Sequence, residues 1–224
     1  MTDELSRTER TTLRRHSDRG SKHRTDLDEI LRESMICHLG VLVDGDVRVL
    51  PTAFGVDRDG PNEAGTVYLH GSVAAQSLLS ALDGDVCVTF TLVDGLVLAR
   101  SGFHHSMNYR SAVIMGRARL VVDRAEKVRA LNQVVNQAVP GRAATLRPAT
   151  RKELAATSVL ALGLDEVSVK IRRGGPVDDP ADVSSATWAG VLPVRLALGQ
   201  VETAADSLGT EVPTDVRRRA QLPG

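Results

Sequence analysis

The chain has 224 residues, of which 42% are hydrophobic and 25% are charged, which is usual for a globular domain with a buried core. Lysine plus arginine and aspartate plus glutamate both number 28, so the basic excess typical of nucleic-acid-binding proteins is absent. No apolar stretch approaches the ~20 residues that a membrane-spanning helix needs, and the N-terminus lacks the apolar core of a secretory signal. Cys37 and Cys87 each lie in an apolar, strand-like run, which favours buried reduced thiols. We therefore expect a cytoplasmic protein that binds neither nucleic acid nor membrane.

The apolar patterning predicts a chain made mostly of strands, with a few helices. Asp-Gly pairs at 44–45 and 94–95 are typical of hairpin turns. Asp123 and Thr150 stand where the N-caps of two helices are expected. We predict helices over 26–34, 72–82, 123–139 and 150–157, and strands over 35–43, 47–57, 66–71, 85–93, 96–101, 111–122 and 158–173.

The order of these elements indicates the fold class. Tight Asp-Gly turns join antiparallel neighbours, and roughly seven strands with few helices favour a small closed barrel. The sequence therefore predicts a mainly β fold with flanking helices, an antiparallel β-barrel over residues 25–173. Residues 1–24 are predicted as a flexible polar arm, and residues 174–224 as an extension that packs on the barrel or on a partner.

Four segments carry a resemblance to a known family: VRVLPTAFGVD (47–57), VYLHGS (67–72), DGLVLARSGFHHSMNYRSAVIMGRA (94–118) and TWAGVLPV (187–194). In order and spacing they resemble the flavin-nucleotide-binding split-barrel family, the pyridoxamine 5'-phosphate oxidase-like proteins, in the branch near the nitroimidazole-reductase (Nim-like) proteins. The resemblance implies a split barrel, a homodimer and a flavin laid across the dimer interface. FMN is the cofactor that it favours, with FAD, the deazaflavin F420 and haem as alternatives.

Two strand ends are expected beside the flavin if the resemblance holds. Pro51 removes a backbone donor from a strand, which suits a position where a ligand lies, and Thr52 adds a hydroxyl, although Pro51 equally fits an ordinary edge strand. Gly71 lets a phosphate approach the backbone, and Ser72 is expected to cap the following helix. His70 is a candidate catalytic residue that orients the substrate or relays a proton, or else a strand-end histidine bonded to the backbone.

The polar segment 101–111 is predicted as a loop that lines the cofactor. Tyr109 is expected to border the flavin ring and is the second candidate catalytic residue. Arg110 is expected to meet phosphate or an anionic substrate, and Asn108 the pyrimidine edge of the flavin. Ser106 and Ser111 would supply hydroxyl groups. The alternative interpretation is an ordinary hairpin loop, in which Tyr109 and Arg110 pack on the surface and bind no cofactor.

The remaining ring-bearing residues leave several interpretations open. His104 and His105 are adjacent, so on an extended segment they point in opposite directions and do not converge on one metal ion. No cysteine or carboxylate stands at ligand spacing beside them, so no metal site is expected. A haem axial ligand from His70, His104 or His105 stays open. Trp188 is expected near the mouth of the cofactor site, or equally as an anchor that docks the C-terminal extension.

One feature departs from the family pattern. Family members place a lysine or arginine in the first turn after the His-Gly strand, whereas this chain reads VAAQSLL (73–79). Another cation would then balance the cofactor phosphate, and the candidates are Arg48, Arg100, Arg110 and Lys170. The sequence predicts a flavin-dependent oxidoreductase acting on a small planar substrate, with a non-catalytic flavin, F420 or haem carrier as the alternative. The groups around positions 70 and 109 are expected to converge on the flavin.

Overall fold

The computed structural model describes residues 4–6, 8–209 and 211–221. Its helices are α1 (Arg24–Glu33), α2 (Gln76–Ser80), α3 (Arg124–Ala138), α4 (Arg151–Ala156), α5 (Pro180–Val183) and α6 (Thr214–Gln221). Its strands are β1 (Gly20–Ser21), β2 (Cys37–Val43), β3 (Asp46–Thr52), β4 (Phe54–Asp57), β5 (Thr66–Ser72), β6 (Val86–Leu98), β7 (Ser106–Gly116), β8 (Arg119–Leu120), β9 (Thr157–Gly163), β10 (Val167–Arg172) and β11 (Gly190–Pro193).

Two antiparallel sheets enclose a shared core. The larger sheet has the order β1-β10-β7-β6-β2-β3, with β11 added beside one end of β6, and the smaller has the order β4-β5-β9-β8. The chain passes from the larger to the smaller sheet between β3 and β4 and between β7 and β8, and it returns between β5 and β6 and between β9 and β10. The predicted mainly β, antiparallel architecture with flanking helices is therefore confirmed.

The predicted strands 47–57 and 158–173 are each divided between the two sheets. The first divides after Thr52, and the second over residues 164–166. Phe54, just after the first division, and Leu164, the first residue of the second, are each only 1% exposed, although Ala53 and Asp165 beside them are exposed. These buried apolar residues continue the apolar pattern across each bend and hide it in the sequence.

The predicted turn at Asp94–Gly95 is instead a β-bulge inside the single long strand β6. The pairing with β7 shifts between Val93 and Gly95, so Asp94 is the extra residue. The Arg110 side chain donates to both oxygens of Asp94, at 3.0 and 2.9 Å, which holds the bulge in place. The strand pair continues past this point, so residues 106–111 lie in β7 rather than in the predicted loop.

Three other features match the local signals in the sequence. Asp44 and Gly45 have φ of 54° and 86° and form the predicted hairpin turn between β2 and β3. The Asp123 side chain accepts a hydrogen bond from the Glu126 backbone at the start of α3. Thr150 caps α4 in a reciprocal capping box. The two predicted caps are confirmed.

The core fills the space between the sheets. The rings of Phe54 and Phe90 meet edge to face, with centroids 4.8 Å apart. Helix α1 closes one end of the core with three buried side chains, Leu27, Ile30 and Leu31. Burial raises the pKa of the Cys37 thiol to about 12, so this cysteine stays protonated and unreactive.

Helix α3 packs closely on the outer side of the smaller sheet. A Cβ atom on Gly55 in β4 would lie 2.5 Å from the backbone nitrogen of Val134, so only a glycine lets the helix come this near. The Tyr68 hydroxyl donates to the Glu126 carboxylate at 3.1 Å. Burial, reinforced by this carboxylate, raises the pKa of Tyr68 to about 12, which keeps the phenol protonated as the donor.

The segment predicted as a polar arm lies along the edge of the larger sheet in its described part. β1 pairs with β10, and Leu5 is only 7% exposed. Arg10 forms ion pairs with Asp85, at 2.5 Å, and with Glu166. The β1 pairing covers backbone groups of β10 that a free edge would leave unpaired.

The C-terminal extension contacts the rest of the chain both in its first part and near its last helix. β11 pairs with β6, and near the other end of the extension Arg219 donates to the Ala138 carbonyl at 3.1 Å. Residues 194–209, which lie between these attachments, are exposed throughout. None of the helices in the described ranges is long and apolar enough to span a bilayer.

Candidate functional site

One face of the larger sheet, here called the outer face, is only partly covered. In β2 the residues from Cys37 onward alternate between buried side chains and half-buried or exposed ones, and the register extends this division to the other strands. The rows of paired outer-face residues are Leu42–Val47, Val49–Gly40–Cys87–Met115, Pro51–His38–Thr89–Val113–Ser168, Thr91–Ser111–Lys170 and Val93–Tyr109–Arg172.

A shallow cavity of about 440 Å³ lies over part of the outer face. Val47, Val49 and Met115 give it mainly apolar walls, and His38 and Thr89 add polar groups. Cofactor sites are commonly clefts of roughly 300–1,000 Å³ with mostly apolar walls and a few polar groups. The outer face therefore offers a surface that suits a flat ring.

Three of the predicted cofactor residues share the outer face. Pro51, Tyr109 and Ser111 lie there on β3 and β7. β3 is also the edge strand of the sheet, so the position of Pro51 fits both a ligand-facing residue and an ordinary edge-strand proline. Thr52 pairs with the buried Cys37 and belongs to the opposite side of the sheet.

Two of the four candidate cations are held by carboxylates of the chain itself. Arg110 donates to Asp94 and, at 2.7 Å, to Glu33, and its side chain is only 14% exposed. Hydrogen bonds to Asp94 and Glu33 raise the pKa of Arg110 further above its usual range. Arg100 donates to the Asp178 carboxylate at 2.7 Å. Both guanidinium groups are thus committed to partners within the chain.

The other two candidates, Lys170 and Arg48, make no ion pair with any described residue. Lys170 lies half-buried on the outer face, directly opposite Ser111 in the neighbouring strand. Arg48 is exposed on the edge strand β3. Lys170 is therefore the cation that the fold places among the polar groups of the outer face.

Asn108 and Ser106 have surroundings that the sequence did not indicate. The Asn108 side-chain oxygen accepts a hydrogen bond from Arg172, and its amide nitrogen donates to the Gly174 carbonyl at 3.1 Å. Arg172 is only 8% exposed and also donates to the carbonyl of Gly175. Asn108 thus helps to fasten the start of the C-terminal extension. Ser106 pairs with the fully buried Val97 and does not belong to the outer face.

The His70 group lies in the smaller sheet. The expectation that Ser72 caps the following helix is wrong, because Ser72 ends β5, its hydroxyl accepts from the Ala74 backbone, and α2 begins only after Ala75. A Cβ atom on Gly71 would lie 2.6 Å from Leu78 Cδ1, so this glycine makes room for α2. Within one chain the polar groups around positions 70 and 109 therefore belong to different sheets.

The His70 imidazole is half-buried, and its Nδ1 atom is buried without a hydrogen-bond partner among the described residues. Desolvation lowers the pKa of His70 below its usual value of about 6.5. The ring is therefore neutral at neutral pH and keeps a nitrogen lone pair available, as a proton acceptor or a ligand requires.

Acid is expected to destabilise the protein partly through His70. Below about pH 6.5 the unfolded chain binds a proton at this residue, while the folded chain with its lowered pKa does not, so the free energy of unfolding falls with pH. His70→Gln removes this contribution. Urea unfolding at about pH 7.5 and about pH 5.5 should show a smaller acid loss in this variant than in the wild type. The exposed His105→Gln serves as the control, and an equal acid loss in wild type and His70→Gln would contradict the prediction.

His104 and His105 lie on the short turn between β6 and β7, and they contact different groups. His104 Nε2 lies 3.2 Å from the Asp179 carboxylate, and His105 Nδ1 lies 2.8 Å from the Ser101 carbonyl oxygen. Within the ranges that the structure describes, no three histidine, cysteine or acidic side chains are grouped as metal ligands would be.

Trp188 lies just before β11 and is 67% exposed. Its ring covers Gly190, where a Cβ atom would come within 2.7 Å of Trp188 Cζ2. Gly190 pairs with Leu98 of β6, so the indole lies at the edge of the strand pair that carries the outer face. Both interpretations of Trp188, as a docking anchor and as part of a ligand surface, fit this position.

His38 and Thr89 on the outer face and the buried Arg172 were not singled out from the sequence. Strand alternation in CHLGVLV was the available signal for His38, since Cys37 and Leu39 on either side of it are the apolar members of the pattern. Thr89 follows from the same alternation in β6. Nothing local marks Arg172, because its partners belong to another strand and to the following turn.

Comparison with known proteins agrees with this architecture. The sequence profile of the pyridoxamine 5'-phosphate oxidase family matches residues 23–171. The flavocytochrome Anf3 of Azotobacter vinelandii is 33% identical, with a TM-score of 0.86, over 94% of this chain and 96% of that protein. The FAD and haem binding protein of Mycobacterium smegmatis is 35% identical, with a TM-score of 0.81, over 89% of this chain and 96% of that protein.

A more distant structure shares the fold. A candidate 5-nitroimidazole antibiotic resistance protein of Bacteroides thetaiotaomicron is 21% identical, with a TM-score of 0.55, over 68% of this chain and 86% of that protein. No curated protein matched the sequence. The family resemblance seen in the sequence is confirmed, and the chain belongs to the pyridoxamine 5'-phosphate oxidase family of split-barrel proteins.

Proposed function

We propose that this protein is a flavin-nucleotide-binding oxidoreductase that acts as a homodimer and carries haem beside its flavin. The observation that carries the proposal is the outer face, an apolar sheet surface that also holds Tyr109, Ser111 and Lys170, a cation without an ion pair to any described residue. The names of the proteins from A. vinelandii and M. smegmatis favour FAD with haem over FMN alone. A bound flavin supplies two-electron chemistry, and the protein supplies position, exclusion of water and proton transfer.

The residues of the outer face fit the needs of a flavin. The ring requires a flat apolar surface, which the valines that line the cavity provide. The phosphate requires a cation, for which Lys170, on the same face outside the cavity, is available. The Tyr109 ring would border the isoalloxazine, and the neutral His70 would accept or hold a proton near the substrate. A small planar substrate suits a site formed from a sheet face.

A second copy of the chain would complete the site. Val47 and Val49 are 77% and 63% exposed, and Leu42 in the adjacent strand is 59% exposed. Contiguous apolar surface of this kind marks an interaction site, and a two-fold dimer would cover the same surface on both copies. The partner would also bring the His70 group of one copy to the outer face of the other. Unpaired cysteines in the described residues are consistent with a cytoplasmic location.

One observation favours a non-catalytic carrier as the second candidate. The helix after the His-Gly strand has only five residues and no cation in its first turn, so the phosphate site usual in the family is altered. A carrier would hold its cofactor without exchanging electrons with a donor and a substrate. The two functions therefore differ in whether the bound flavin turns over.

Identification of the bound cofactors tests the proposal. Mass spectrometry and absorption spectra of the purified protein should show FAD and haem, and light scattering should show a dimer. Reduction of the flavin by NAD(P)H, reduced ferredoxin or reduced F420, followed by reoxidation on adding a nitroaromatic or quinone, would support an oxidoreductase. A protein that takes up none of FMN, FAD and F420 would contradict the proposal, and a bound flavin that no donor reduces would favour the carrier.

Lys170 is expected to contribute to flavin affinity through the cofactor phosphate. Lys170→Gln should raise the flavin Kd about tenfold, which corresponds to about 1.4 kcal/mol. Lys152→Gln, which removes the same charge from the exposed helix α4, is the matched control and should leave the Kd unchanged. Equal Kd values for both variants in a fluorescence titration would exclude Lys170 from the phosphate site.

A further inference from the structure

The hydrogen bond of His105 fixes the state of its imidazole. A backbone carbonyl only accepts hydrogen bonds, so the 2.8 Å contact with Ser101 requires the hydrogen on His105 Nδ1. The neutral ring then carries its lone pair on Nε2. Histidines that bind metals usually donate their other N–H to a carbonyl or carboxylate in this way, which sets the tautomer and orients the ring. The imidazole is also exposed, so Nε2 can be approached from outside the chain.

The surface beside His105 is flat and apolar. Leu192 of β11 pairs with Leu96 of β6, which pairs with Met107 of β7, and these side chains are 55%, 38% and 52% exposed. Leu98 and the Trp188 ring over Gly190 extend the same surface. We call the set Leu96, Leu98, Met107, Trp188 and Leu192 the apolar platform. His105 directly precedes β7 and has extended backbone angles, φ −59° and ψ 142°, so the alternation of β7 extended by one residue puts position 105 on the same side as Met107.

The other two histidines proposed as haem ligands are placed less well. His104 Nε2 is buried and faces the Asp179 carboxylate at 3.2 Å, so it is not open to a ligand that approaches from outside the chain. Within one chain, His70 belongs to the smaller sheet and not to the sheet that carries the apolar platform. His38 lies on the outer face, but it pairs with Thr89, seven residues before Leu96 along β6. Among these four histidines, His105 alone combines a directed lone pair with an adjacent apolar surface.

We propose that His105 Nε2 is an axial ligand of haem iron, with one face of the porphyrin lying against the apolar platform. Haem is a flat, largely apolar disc whose iron binds imidazole nitrogen, so this surface and this residue match its two recognition requirements. The platform is continuous with the outer face through Val93 and Tyr109, so the haem would lie at the end of the surface proposed for the flavin. The inference rests on the proposed function, because it assigns the residue that holds the second cofactor.

Spectra of haem-loaded protein test the assignment. Haemin titrated into the FAD-loaded wild type should give a saturable Soret shift, and electron paramagnetic resonance should show imidazole-ligated iron. His105→Gly should weaken haem binding about tenfold or more and lose the ligated spectrum. Added imidazole should restore that spectrum. His104→Gln and His70→Gln, which remove neighbouring or competing imidazoles, should keep the wild-type spectrum.

The possible results distinguish a wrong assignment of the haem ligand from a failure of the proposed function. If His105→Gly keeps the wild-type spectrum and affinity, the assignment to His105 is wrong while haem binding by the protein stands. If His70→Gln loses the spectrum instead, His70 is the ligand. If the wild type binds FAD but gives no saturable, ligated haem spectrum, the haem part of the proposed function fails, and this assignment fails with it.

Discussion

Replacing Gly55 with alanine is expected to lower the free energy of unfolding by about 1–3 kcal/mol, as overpacking of a well-filled interior does. The new Cβ atom would lie 2.5 Å from the Val134 backbone nitrogen and 2.7 Å from the Gln133 carbonyl carbon. Both are backbone atoms of α3, so no side chain can rotate away to relieve the contact. The helix would shift away from β4, and the hydrogen bond from Tyr68 to Glu126 would lengthen.

Chemical unfolding followed by circular dichroism measures this effect. Gly84→Ala is the matched control, because a Cβ atom there meets nothing within 4 Å, and its change should stay within about 0.5 kcal/mol. If Gly55→Ala is as stable as Gly84→Ala, the close approach of α3 to β4 is wrong. A structure of the alanine variant with α3 displaced would show the predicted relief directly.

The features that the sequence predicted well are those written in neighbouring residues. The turn at Asp44–Gly45 depends on two residues that accept positive φ, and the caps at Asp123 and Thr150 depend on groups within three positions. The fold class followed from the number of short apolar runs and from such local signals. Family resemblance then supplied the barrel topology, which local signals do not encode.

The features that were missed depend on contacts between distant parts of the chain. Asp94–Gly95 has the composition of a turn, but the pairing of β6 with both β7 and β11 keeps the strand going. The segment after His70 has helical composition, yet the pairing of β5 with β9 continues through Ser72, and α2 has only five residues. In each case tertiary pairing overrides a correct local preference.

The candidate site shows the same division. Strand alternation alone places Pro51, Tyr109 and Ser111 on a common face once the register is known. The sequence does not reveal which arginines are already paired, because Arg110 meets Asp94 and Glu33 at separations of 16 and 77 residues. The structure therefore divides the predicted cations into those that hold the fold together and those left for a ligand.

Arg110→Met is expected to lower the free energy of unfolding by about 2–3 kcal/mol, because it removes one partner from a largely buried ionic cluster. The Arg110 side chain is 14% exposed, whereas Asp94 and Glu33 are 32% and 30% exposed. Solvent reaches these carboxylates in part, so the loss should be smaller than the roughly 3–5 kcal/mol seen when a fully buried pair is broken. The methionine keeps much of the apolar packing, so the loss reports the charge interactions.

The control variant is Arg32→Met, since Arg32 is 69% exposed and also contacts Glu33, and its effect should stay within about 0.5 kcal/mol. Adding Asp94→Asn to Arg110→Met should recover part of the lost stability, because it removes a carboxylate left without its partner. Flavin affinity, compared at a temperature where both variants are folded, distinguishes the two roles considered for Arg110. An unchanged Kd with lowered stability fits an arginine that joins α1 to the bulge of β6. A large rise in Kd with unchanged stability would instead show that Arg110 leaves its carboxylates to bind the cofactor or substrate.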